Sequence, residues 1–173
     1  MTGDGRRATN GAKLVSHDIG EGTVYDSGGV KITAFEVDHT RVRPALGYRI
    51  DYAGRSVVLS GDTKESENLI RHAQGVDLLV HEVFVPGTLE RAGVPAERAK
   101  SIVAYHVTPE QVGEVFQRTK PELAVLSHIC MPNATSQDIL GPTRKAYGGP
   151  FEIGEDLMVI DVGEKVGVRK PTR

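Results

Sequence analysis

Val57-Val58-Leu59-Ser60-Gly61-Asp62-Thr63 decides how this chain is layered. Three apolar, mostly β-branched residues read as a strand buried on both faces. The strand breaks at Ser60-Gly61, and Asp62 stands at its carboxyl end. The pattern returns twice: Leu78-Leu79-Val80 runs into His81-Glu82, and Leu123-Ala124-Val125-Leu126 runs into Ser127-His128. In layered α/β folds, sites form outside the carboxyl ends of strands. Three apolar strands therefore deliver an aspartate, a His-Glu pair and a histidine toward one rim, a layout suited to a metal-centred hydrolytic site.

Outward from that stretch, strands dominate the first third of the chain. Val30 to Val37 alternates in polarity and ends at Asp38-His39, after a turn signal at Asp26-Ser27-Gly28-Gly29. Ala45 to Tyr52 and Arg55 to Leu59, joined by Ala53-Gly54, predict a hairpin. The middle alternates strand and helix. Ser66 to Gln74 predicts a short capped helix ended by Gly75, followed by a strand over 76–83. Residues 86–104 predict a loop with one or two helical stretches. Thr108-Pro109-Glu110-Gln111 is a helix start with a capping box and proline at the first helical position. A strand over 123–128, a loop through Pro132 and a helix near 137–147 follow. A hairpin around Gly163-Glu164 closes the chain. The expected fold class is α/β in layers: one mixed sheet with helices on one face. Residues 1–13 read as a flexible lead and 14–173 as one domain.

The 173 residues are enough for one sizeable core. A net charge of −2 disfavours a large nucleic-acid or lipid footprint without excluding a local basic patch. The single cysteine, Cys130, cannot form an internal disulfide. No apolar run is long enough to span a bilayer, and the first residues lack the apolar stretch of a signal peptide. A cytoplasmic location, with no membrane partner, is the expectation.

Several side chains carry possible chemistry. Asp62 suits a ligand or a turn-former; His128 suits a ligand or a hydrogen-bonded strand end. His81 and Glu82 are strand neighbours that point to opposite faces, so only one can address a given site. His106 precedes a helix start, where an anion is favoured. His39, with Arg41 and Arg43 close by, reads as a polar loop or as an anion-contacting rim. Carboxylate plus imidazole ligands suit zinc, with manganese or iron as alternatives in binuclear sites. The chain contains no H-x-H, H-x-x-x-H or C-x-x-C pair.

Five segments, taken in order, resemble the C-terminal half of the metallo-β-lactamase superfamily, in particular its ribonuclease Z-like and arylsulfatase-like members. They are Val37-Asp38-His39 with Leu46-Gly47-Tyr48-Arg49-Ile50, then Ser60-Gly61-Asp62-Thr63, then Asp77-Leu78-Leu79-Val80-His81-Glu82, then His106-Val107-Thr108, and last Lys120 through Ile129. The resemblance covers residues 14–168. It implies half of an αββα sandwich and a metal-dependent hydrolase acting on a phosphodiester or related ester. It implies Asp62 as the carboxylate bridging two metals and His128 as the last histidine ligand of one of them. His106 would assist proton transfer, and Glu82 would orient it. Val83 and Phe84 stand where the family's His-Glu-Ala-Thr motif has alanine and threonine. His39 and Arg41 would contact substrate. The family's H-x-H-x-D-H signature is missing from this sequence. The expected partners are therefore a second copy, docked through an exposed apolar sheet face, or a separate N-terminal half. A catalytically inactive fragment or subunit is the alternative.

Overall fold

In the computed structural model, which describes residues 16–130 and 135–171, a seven-stranded mixed sheet runs in chain order. The expected lead over 1–13 lies outside the described residues. The first four strands are β1 (Gly22–Ser27), β2 (Val30–Glu36), β3 (Leu46–Tyr52) and β4 (Arg55–Leu59), paired antiparallel. Then β5 (Leu78–Phe84), β6 (Leu123–Cys130) and β7 (Phe151–Ile153) add in parallel. The β3–β4 turn has positive φ at both Ala53 and Gly54, the conformation whose twist matches the flanking strands.

Helices α1 (Glu67–His72), α4 (Pro109–Thr119) and α5 (Gln137–Ala146) cover one face; α2 (Thr88–Arg91) and α3 (Ala96–Val103) lie in the β5–α4 connection. The ends of α1 and α4 follow local chemistry. The Ser66 hydroxyl accepts the Leu69 N–H, and Thr108 with Gln111 closes a reciprocal capping box. Phe35, Val58, Leu79 and Leu126 from the sheet pack with Leu69, Val112, Phe116 and Ile139 from the helices.

The opposite face differs from the expectation of an open apolar sheet. Strands β8 (Val159–Val162) and β9 (Val166–Arg169) form a hairpin folded over it. Met158, Ile160, Val162, Val166 and Val168 pack on Leu78, Leu123 and Val125. Burying these side chains offsets the cost of holding a two-stranded hairpin, which is marginal alone. The cover is partial: Tyr25, Tyr52 and Leu59 remain exposed. No helix among the described residues is long and apolar enough to cross a membrane.

Candidate functional site

Five backbone segments meet at the carboxyl ends of β4, β5 and β6. The β4 end turns at Gly61, whose φ is +62°; a Cβ there would stand 2.6 Å from the Leu46 carbonyl oxygen. Only glycine passes so close in that conformation. The turn leaves Asp62 half-exposed on the rim. At the β6 end the pairing with β5 slips, Glu82 matching Ser127 and Val83 matching Ile129. His128 is the extra residue of that bulge, with φ +44°. Its Nε2 stands 3.4 Å from Asp62 Oδ1.

His81 and Glu82 divide as strand alternation requires. His81 is buried on the helix side, edge-on to Phe116; its Nδ1–H donates to the Glu82 carbonyl, and Nε2 has no partner among the described residues. Burial pushes its imidazole down to about 4. Glu82 points to the rim from a buried position. Its Oε1 accepts the Thr63 N–H at 2.9 Å, and both carboxyl oxygens lie 3.0 Å from His106 Nδ1. Burial pushes the Glu82 carboxyl up to about 8; the Thr63 N–H opposes this and the nearby Asp62 charge adds to it. Burial also lowers His106, against Asp62. Both shifts favour the uncharged form of the pair, in which the Glu82 O–H donates to Nδ1 and the ring proton sits on Nε2, facing outward.

His106 stacks on Phe84, and its ring centre is 6.1 Å from that of His128 and 5.4 Å from that of His39. His39 reaches the site from the β2–β3 loop, and its Nδ1 lies 3.0 Å from the Tyr105 carbonyl oxygen. A carbonyl only accepts, so Nδ1 carries a proton, and the tautomer this selects has its lone pair at Nε2. Arg41 is exposed on the same loop. The structure thus gathers Asp62, His128, His106, Glu82 and His39 on one rim. Thr63 and the Tyr105 carbonyl, which the sequence reading passed over, hold them there. Thr63 follows Asp62 directly in the chain; a backbone carbonyl has no sequence signal. A cleft of about 480 Å³ opens beside His128, floored by Val80, Val125, Met158 and Ile160.

Asp62 and His128 have the donor chemistry of a zinc site. Yet no three His, Cys, Asp or Glu side chains among the described residues are placed to hold a metal ion. These residues supply two facing donors where about three per metal are needed, so they do not fit a complete centre by themselves.

The family model of the beta-lactamase superfamily domain matches residues 4–129. The chain belongs to the metallo-β-lactamase superfamily. Within that superfamily it is 33% identical over 155 residues to a ribonuclease Z from Mycobacterium sp. (strain KMS), a match covering 88% of this chain and 54% of the relative. The chain spans about half the length of the curated relatives it matches. A metallo-β-lactamase fold protein from Bacillus subtilis superposes with a TM-score of 0.58 at 17% identity, over 76% of this chain and 49% of that one. The short form of human tRNase Z gives 0.56 at 20%, over 82% and 46%. Both show the fold.

Proposed function

We propose that this chain is the part of a metal-dependent hydrolase that carries the acid–histidine pair and two of the metal ligands, Asp62 and His128. The observation that supports it is the convergence of Asp62, His128 and His106 on one rim, with buried Glu82 behind His106. The remaining ligands would come from further polypeptide: a second copy, or a stretch equivalent to the other half of the longer relatives. The donor set suits zinc, with manganese or iron as alternatives, and two such ions would supply Lewis acidity and an activated water.

The chain's own residues manage the proton. His106 gives its Nε2 proton to the departing oxygen, and Glu82 replaces it at Nδ1. Burial of Glu82 favours its protonated carboxyl. The substrate is a phosphodiester or related ester. The name of the relatives, ribonuclease Z, puts RNA first, ahead of the weak argument against it from a net charge of −2. Arg41 supplies positive charge at the rim, and His39 accepts a hydrogen bond from a substrate hydroxyl or water.

A second reading, an inactive subunit or fragment, is favoured by the want of a three-donor cluster among the described residues. Metal content per chain, measured on size-fractionated protein purified without chelator, decides between them. About one or two ions per chain, lost in Asp62→Ala, supports the hydrolase. A metal-free protein in every size fraction, unchanged by Asp62→Ala, supports the inactive reading.

A further inference from the structure

Four contacts at the rim form a closed cycle. The Thr63 N–H donates to Glu82 Oε1 at 2.9 Å. Glu82 holds His106 Nδ1 at 3.0 Å. The carbonyl of Tyr105, the residue before His106, accepts from His39 Nδ1 at 3.0 Å. The N–H of Asp38, the residue before His39, donates to Thr63 Oγ1 at 3.2 Å and completes the circuit. Thr63 is fully buried and is the one residue that uses both its backbone and its side chain in this cycle. Its hydroxyl proton is directed to the Lys64 carbonyl at 2.7 Å, which leaves Oγ1 lone pairs for Asp38. The Lys64 N–H in turn donates to the Asp38 carbonyl at 2.9 Å.

We propose that Thr63 is a positioning residue whose hydroxyl fixes the β2–β3 loop so that His39 stands beside His106 in a single tautomer. The backbone half of Thr63 sets Glu82, and through it His106. The hydroxyl half sets Asp38, and through it the approach of His39 to Tyr105. Two imidazoles of complementary character are thereby held as neighbours: with a protonated Glu82 behind it His106 presents an N–H at Nε2, and the Nδ1–H tautomer of His39 presents a lone pair at Nε2. The substrate this pair suits has a leaving oxygen and a hydroxyl or bound water close together. A segment that was free to turn would let His39 exchange tautomers, and the complementarity would be lost.

The proposal takes from the hydrolase reading only that His106 is the proton carrier. Its test needs neither metal nor substrate. Thr63→Val keeps the N–H to Glu82 and the side-chain shape but removes the acceptor for Asp38; Thr63→Ser restores it. In ¹⁵N-labelled full chain, wild type is expected to show His39 as a single tautomer protonated at Nδ1, with a protected Asp38 amide. Thr63→Val should average the two His39 nitrogens and speed Asp38 exchange about tenfold, the size set by one lost hydrogen bond, while the His106 nitrogens stay unchanged. Thr63→Ser should return the wild-type signals. An unprotected Asp38 amide or an averaged His39 in wild type overturns the proposal without any variant, so it stays decidable even if Thr63→Val does not fold. A Thr63→Val protein with unchanged His39 signals overturns it too. Neither outcome touches the hydrolase reading, which stands or falls on metal content.

Discussion

Glu82→Gln should change how stability depends on pH more than it changes stability itself. The wild-type carboxyl is buried with a 1% exposed side chain and titrates near 8 in the folded chain, against 4.5 when unfolded. An acid raised by folding costs nothing below pH 4.5, where both states are protonated. The cost grows as pH climbs from 4.5 and levels off above 8. The full step corresponds to about 5 kcal/mol, a large share of a typical domain's stability. Glutamine keeps an acceptor for the Thr63 N–H but cannot ionise, so the variant lacks this loss. Urea unfolding of chelator-treated wild type and variant at pH 5, 6.5 and 8 tests it. At pH 5 the variant should be equal or slightly weaker, because its amide replaces the O–H donor to His106. By pH 8 it should have overtaken wild type by several kcal/mol. Parallel pH profiles would refute the reasoning. They would mean that Glu82 is already ionised in the folded chain, with the proton resident on His106.

The other buried titrating group acts in the opposite direction. His81 falls from 6.5 to about 4 on folding, so the chain is unpenalised above pH 6.5 and loses about 3 kcal/mol as pH drops to 4; His81→Leu should flatten that acid limb in the same urea series, and an unchanged limb would rule His81 out as its cause. Gly61→Ala forces a Cβ against the Leu46 carbonyl at positive φ and should cost about 2 kcal/mol, seen as a drop of about 4–8 °C in Tm; an unchanged Tm would show that the turn relaxes freely. Ile160→Asp places a charge between the β8–β9 hairpin and the sheet. It should raise apolar-dye binding and light scattering as Leu78, Leu123 and Val125 become exposed, and a silent variant would mean that the hairpin is not what covers them.

Most strands of the sheet were readable because each announces its own end. Ala53-Gly54 specified the β3–β4 hairpin, and Thr108-Pro109-Glu110-Gln111 specified the start of α4, since both devices act within a few residues. Strand β7 was missed. At three residues, Phe151–Ile153 is too short to show alternation, and its place is set by pairing with Ala124–Leu126 and by Arg144 lying over the Phe151 ring. The closing hairpin was read as a hairpin but not as a cover. Its alternation shows that Ile160, Val162, Val166 and Val168 share an apolar face, and says nothing of which surface meets that face.

The site divides along the same line. Asp62, His106 and His128 stood out because polar residues directly after apolar strands, or before a capped helix, are conspicuous in one dimension. What aims them is not conspicuous. In an unbroken strand His128 would share the face of Leu126 and Ala124 and point into the helix layer. The slipped pairing between β5 and β6, with φ +44° at His128 itself, turns it to the rim instead. A non-glycine residue in that conformation is unfavourable by about 1–2 kcal/mol. The strain is local, and the contact that accompanies it, Asp62 at 3.4 Å, comes from another strand. Sequence therefore names the donors, while register and hydrogen-bond closure decide whether they meet.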